Sequence, residues 1–163
     1  MIRGCRWTLA LSTLLAIGAV TGAIAATGPP VTTGSVSITG SGTVTITGQV
    51  YVQGVLTGPH PLVTIRTTTS AASCSLLKKK RIPRGRNVQI SPPSGTQFGI
   101  LGTAGNIQVT VRGASISMTV AGTATIKFSG RGSYTPAYGV TPYRWPKTML
   151  RLVQPTTSGA HSS

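Results

Sequence analysis

This sequence predicts an all-β protein: a single domain, mainly antiparallel, arranged as a β-sandwich or a small β-barrel behind an N-terminal signal-peptide helix. Two alternating stretches and one gap in the composition carry that expectation. Over residues 36–56, apolar or Gly residues fill every second position (Val36, Ile38, Gly40, Gly42, Val44, Ile46, Gly48, Val50, Val52, Gly54, Leu56), and the positions between them are polar almost throughout. A period of 2 marks strands with one buried and one wet face. The alternation returns at Ile107, Val109 and Val111, changes phase around Gly113, and runs on through Ile116, Met118, Val120, Ala124, Ile126 and Phe128 to Tyr134. The gap is the complete absence of Asp and Glu beside 15 Lys plus Arg.

Taken in order, residues 1–25 read as a secretory signal peptide. Arg3 and Arg6 form a positive start, an apolar stretch follows to Val20, and Ala23-Ile24-Ala25 is a small-x-small cleavage site. The apolar run is shorter than the roughly 20 residues that span a bilayer, so a secreted or cell-surface protein with no mature transmembrane segment is expected. An uncleaved N-terminal membrane anchor is the alternative. Residues 26–34, with Pro29 and Pro30, are an extended lead-in, and the β domain covers 35–153.

Within that domain, Gly40, Gly42, Gly48 and Gly54 sit on the inward phase, where glycines mark bulges, bends or close backbone approach. Residues 36–56 are therefore two or three strands joined by tight turns, or longer strands bent at those glycines. Pro59-His60-Pro61 closes the unit, with His60 as a turn residue, and 62–67 form a short strand. The Thr/Ser/Ala stretch around Cys74 leads into the basic run 78–86, where Pro83 and Gly85 argue for a loop. Residues 88–91 suit another short strand, and 95–105 read as a turn-rich connection.

The phase change at Gly113 predicts a bulge or a turn. Gly122-Thr123-Ala124-Thr125-Ile126 repeats Gly42-Thr43-Val44-Thr45-Ile46 in residue and phase, which suits either convergence or two similar halves that pair face to face. Four prolines among residues 136–155 predict a segment wrapped over the sheet, and 154–163 a disordered tail.

The missing carboxylates exclude whole classes of chemistry: paired-carboxylate acid–base catalysis, Ser-His-Asp triads, carboxylate-bound Ca²⁺ or Mg²⁺, and glycosidase action. Two isolated histidines, His60 and His161, make no metal site of recognisable spacing with one cysteine. No phosphate-cradling glycine motif is present. A non-catalytic protein without cofactor or metal is expected. Its stability should also be flat across acid pH, because acid unfolding largely follows protonation of native carboxylates.

The positive functional signal is the run Lys78, Lys79, Lys80, Arg81, Arg84 and Arg86, six cations in nine residues. Such a field attracts anionic cell-surface polymers or lipid head groups. Arg131, Arg144 and Lys147 are further contacts to consider. The bland counterpart is a solvated loop that keeps a Gly- and Thr-rich chain soluble. Sequence-specific nucleic-acid binding is not expected, because no base-stacking aromatics lie near the run. The aromatics Tyr134, Tyr138, Tyr143 and Trp145 offer a second candidate, a soluble module for a sugar or small apolar ligand. Cys74 is the one cysteine beyond the signal peptide, so it is a buried apolar residue, an intermolecular disulfide in a linked dimer, or a reactive thiol.

Three tracts carry a resemblance: Gly-Thr-Val-Thr-Ile-Thr-Gly at 42–48, Val109-Thr110-Val111-Arg112-Gly113-Ala114-Ser115-Ile116-Ser117-Met118, and 122–126 through Gly130-Arg131-Gly132-Ser133-Tyr134 to Trp145-Pro146. The chain resembles small secreted Gly/Thr-rich β-repeat proteins of high-GC Gram-positive bacteria. That resemblance implies a β fold and export, and it assigns no catalytic or binding residue. The absence of acidic residues and the basic insertion at 78–86 depart from it.

Overall fold

The computed structural model describes residues 30–102 and 105–155; the expected signal peptide at 1–25, most of the expected lead-in and residues 156–163 of the expected tail lie outside them. Among the described residues there are ten strands and no helix. They are β1 (Val31–Thr33), β2 (Ser35–Thr57), β3 (Leu62–Thr67), β4 (Ala72–Cys74), β5 (Arg81–Ile82), β6 (Asn87–Ile90), β7 (Thr96–Gly102), β8 (Ile107–Pro136), β9 (Tyr143–Arg144) and β10 (Met149–Val153). The protein is all-β, as its alternation requires. All pairings are antiparallel except that of β1 with β10.

β2 and β8 dominate. Residues 36–56 form one long strand bent at its glycines, with no turn inside it, and the inward apolar positions from Val36 to Leu56 are buried in a single phase. β8 pairs with β2 along two edges. In one register Val36 faces Pro136 and Leu56 faces Ile116, and in the other Val36 faces Val120 and Gly48 faces Ile107. Residues 35–48 of β2 therefore lie largely between two parts of β8, and the middle of β8 lies between two parts of β2. A sheet with one apolar face can hide it only by folding over itself, and these doubled pairings do that. The result is one open mixed sheet wrapped around a single core cluster, with β1, β5, β6 and β9 each paired on one side only.

The phase change at Gly113 is a bulge in β8. Gly42 faces Gly113 while Gly40 faces Ile116, so two steps on β2 match three on β8, and burial switches from Val109 and Val111 to Ile116 and Met118. The two Gly-Thr tracts pair directly, Ile46 opposite Ile126 and Val44 opposite Phe128. At both ends of this pairing the backbones approach too closely for any side chain. Gly42 and Gly130 face each other at φ +131° and +132°, and the space a Cβ would fill is taken by the carbonyls of Ser129 and Ser41 respectively. Only glycine meets both demands, positive φ and no Cβ.

Three expectations are corrected, and one stretch left without an element is resolved. Residues 95–105 are not a turn-rich connection: β7 runs through Thr96–Gly102, buries Phe98 and Ile100, and joins β2 to β4. The Thr/Ser/Ala stretch contains β4, because Ala72 and Cys74 share the inward phase. The lead-in contributes β1, hydrogen-bonded alongside β10. The C-terminal segment is only partly a wrap, since β10 enters the sheet and buries Leu150 and Leu152.

Candidate anion-binding surface

The basic run is a loop, as Pro83 and Gly85 imply, but it is interrupted by the two-residue strand β5 and pinned by hydrogen bonds. β4 leads into a turn closed by the Leu77 N–H donating to the Cys74 carbonyl at 3.3 Å and the Cys74 N–H donating to the Lys80 carbonyl at 2.6 Å. The chain returns as β5, where Arg81 points outward and Ile82 is 1% exposed in the core. Leu76 and Leu77 pack partly against the same core. Beyond Ile82, buried Thr67 holds the strand. Its hydroxyl donates to the Pro83 carbonyl at 2.7 Å and accepts from the Arg86 N–H at 3.0 Å, while its own N–H reaches the Arg86 carbonyl at 2.8 Å. The Gly85 N–H in turn donates to the Thr67 carbonyl at 2.7 Å. Alternation and these pins leave Lys78, Lys79, Lys80, Arg81, Arg84 and Arg86 exposed together, between the free edges of β5 and β6.

Every Lys and Arg among the described residues is exposed, and the chain contains no Asp or Glu to neutralise any of them. Counter-charge must come from outside. Cations on a free strand edge also discourage edge-to-edge aggregation, a structural reason for Arg81. Arg131, Arg144 and Lys147 are exposed too, but Arg131 is on β8, Arg144 on β9 and Lys147 just before β10, away from β5 in the strand order.

The aromatic residues separate. Tyr134 is 7% exposed and stacks on Phe128 and Tyr143 at centroid distances of 6.3 and 5.5 Å. Burial pushes the Tyr134 phenol up, with a smaller upward push from Tyr143. Trp145 lies 5.1 Å from Phe128 and covers the facing pair Gly40 and Gly132, where it fills the space their missing side chains leave. Its indole N–H donates to the Ser133 carbonyl at 3.1 Å. Tyr143 remains half exposed, and Tyr138 stands apart at 84% exposed. The four do not form one open platform.

Cys74 is free and buried, and burial pushes its thiol up, against smaller opposing contributions from the Leu76 and Leu77 backbone hydrogen bonds. Of its three readings, the small apolar core residue fits this position; a disulfide to a second chain needs sulfur at the surface. His60 occupies a turn at φ 52°.

Sequence reasoning passed over Tyr51. It is a large aromatic on the outward phase of β2, 43% exposed, above a hollow of about 680 Å³. The signal was present, since Tyr51 is the only aromatic in 36–56 and sits among Thr, Ser and Gln. No family model matches the chain, and neither does any curated protein or solved structure.

Proposed function

We propose that this is a non-catalytic exported protein, a structural or adhesive component of the cell surface, held to an anionic polymer or to anionic lipid head groups by residues 78–86. The supporting observation is six exposed cations on one pinned loop in a chain without a single Asp or Glu. A fixed edge loses little conformational entropy when a polymer lies along it. Uncompensated charge also makes the attraction long-ranged and sensitive to salt. The same composition supports a non-catalytic reading: burial pushes the Cys74 thiol up, and no Asp or Glu is present to orient a base. The resemblance to small secreted Gly/Thr-rich β-repeat proteins agrees with export.

The alternative, a binding module built on Tyr134, Tyr138, Tyr143 and Trp145, has weaker support. Tyr134 is buried, and Trp145 is engaged in covering a glycine pair.

The test is binding of the purified protein to linear polyphosphate over a salt series, beside a variant with Lys78, Lys79, Lys80, Arg81, Arg84 and Arg86 changed to Gln. The wild type should weaken steeply with salt, and the variant should lose most of its affinity and its salt slope, by roughly 0.7–0.9 per contact as on nucleic acid. Identical behaviour of the two proteins would sink the proposal.

A further inference from the structure

We infer that the hollow beside Tyr51 is a subsite for an acidic hexose unit, a uronic acid or a phosphorylated hexose, of the anionic polymer; the inference rests on the function proposed above and narrows that polymer to a glycan. The hollow opens on the outer face of the sheet, where β2 and β7 pair with Tyr51 opposite Leu101 and Gln53 opposite Gly99. Its volume of about 680 Å³ lies within the range of small-molecule sites, roughly 300–1,000 Å³. Tyr51, Gln53, Ser75, Gln97 and Ser117 line it. Tyr51, Ser75 and Gly99 also line a smaller hollow of about 250 Å³, together with Ser73, Cys74, Leu101 and Lys80. Lys80 belongs to the basic run, so Tyr51 borders both a hollow lined by amides and hydroxyls and a hollow lined by a cation.

Two details separate this place from ordinary sheet surface. The Tyr51 hydroxyl donates to Gln53 Oε1 at 2.9 Å, which fixes the ring and leaves the Gln53 amide N–H₂ free to donate. Gly99 is the second. Its φ lies outside the positive region, and a Cβ there would meet only the Tyr51 hydroxyl at 3.8 Å and Ser75 Oγ at 3.9 Å, ordinary contacts. Neither backbone conformation nor packing requires glycine at this position, in contrast to Gly42 and Gly130. What the missing side chain does is keep the floor open between Tyr51 and Ser75. The Gly99 N–H donates to Ser75 Oγ at 2.8 Å and the Ser75 N–H to the Gly99 carbonyl at 2.9 Å, so the floor is rigid.

The chemistry that fits is a pyranose. Its C–H face stacks on an aromatic ring, and its rim hydroxyls pair with amides and hydroxyls. Lys80, which lines the smaller hollow together with Tyr51 in a chain with no Asp or Glu to repel an anion, selects an acidic substituent. The structural rival is a Tyr51–Leu101 cross-strand pair that merely covers the sheet.

The experiment uses three probes, an oligogalacturonate, a phosphorylated mannan oligosaccharide and linear polyphosphate, against wild type, Tyr51→Ala, Gly99→Val and the charge-neutralised 78–86 variant. Circular dichroism and thermal melting confirm folding, and Tyr51→Phe, which keeps the ring, serves as the conservative control. Tyr51→Ala and Gly99→Val should each weaken at least one acidic saccharide about tenfold, a loss of the size expected for one stacking contact. Polyphosphate binding should be unchanged, and Tyr51→Phe, which keeps the ring but loses the bond to Gln53, should bind saccharide at a level between wild type and Tyr51→Ala. Which acidic saccharide responds distinguishes carboxylate from phosphate. If both folded variants bind both saccharides as the wild type does, the subsite is overturned while retained polyphosphate binding leaves the basic edge standing. If instead the Tyr51 and Gly99 variants lose saccharide and the neutralised variant binds polyphosphate like wild type, the subsite stands and the basic-edge reading fails.

Discussion

Where residues 42–48 pair with 124–130, each inward position is either an apolar side chain packed in the sheet or a glycine whose Cβ space a neighbouring carbonyl occupies. From 75 to 86 the chain touches the core through Leu76, Leu77 and Ile82 and is otherwise held by a few hydrogen bonds, to β4 and β7 at its start and to Thr67 at its end. The first region is fixed by exclusion: nearly any added atom collides. The second is fixed by a few pins, and everything between them faces water. Such a division lets one chain keep a dense core and still carry a strong local charge, because the cations are bound to nothing that a substitution would break.

The largest expected contrast is between two glycines. Gly130→Ala places a methyl group on the Ser41 carbonyl at φ +132°, and should cost more than about 3 kcal/mol or prevent folding. Gly85→Ala, at φ +75° with nothing within 4 Å, should cost only about 1–2 kcal/mol. Urea denaturation of both variants measures the difference, and equal costs would dissolve the contrast.

Next comes Ile82→Ala, which should cost about 2–4 kcal/mol if the basic edge unfolds together with the core. A much smaller loss, with proteolysis confined to 78–86, would mean the edge opens independently. Thr67→Val keeps the side chain's shape and removes its hydroxyl, leaving the Arg86 N–H and the Pro83 carbonyl without that partner, for an expected loss of about 1–3 kcal/mol. Changing Lys78, Lys79 and Lys80 to Gln should move stability by no more than about 0.5 kcal/mol, since these side chains are exposed and have no acidic partner.

The smallest effect is that of pH. Without side-chain carboxylates, stability should stay flat from about pH 5 down to about pH 2, where such groups would titrate. On the alkaline side the native Cys74 thiol keeps its proton to higher pH than an ordinary thiol, about 8.5, so the unfolded chain deprotonates first. Stability is therefore full below that value and declines as pH rises through the native thiol's own titration, with Tyr134 adding the same trend higher up. Thermal melts across pH, compared with Cys74→Ala, would show whether the thiol's share disappears.

Much of the fold was legible because burial on one face writes itself into the sequence at period 2. The inward phase of β2, the span of β3 and the phase change at Gly113 in β8 could be read in this way, whereas alternation left open whether 36–56 is one strand or several and whether Gly113 is a bulge or a turn. β7 could not, because Gly99 interrupts its outer face, Leu101 lies exposed there, and Pro92, Pro93 and Gly95 just before it suggest a turn. β4 and β5 offer one or two inward residues each, too few to form a pattern. The doubled pairing of β2 with β8 leaves no local trace, since it depends on distant registers. At the surface, the six cations were visible as composition, whereas their pinning by Thr67 and the nearness of Lys80 to Tyr51 arise only from tertiary placement.

The pairing of β2 also sets when the chain can fold. Every strand hydrogen-bonded to β2 begins at Thr96 or later. During synthesis the first long strand has no partner until most of the polypeptide exists, and contacts of such long sequence separation form slowly. The protein should therefore lack its central strand pairing until late in its own production, and reach its compact form only after β8 has been made.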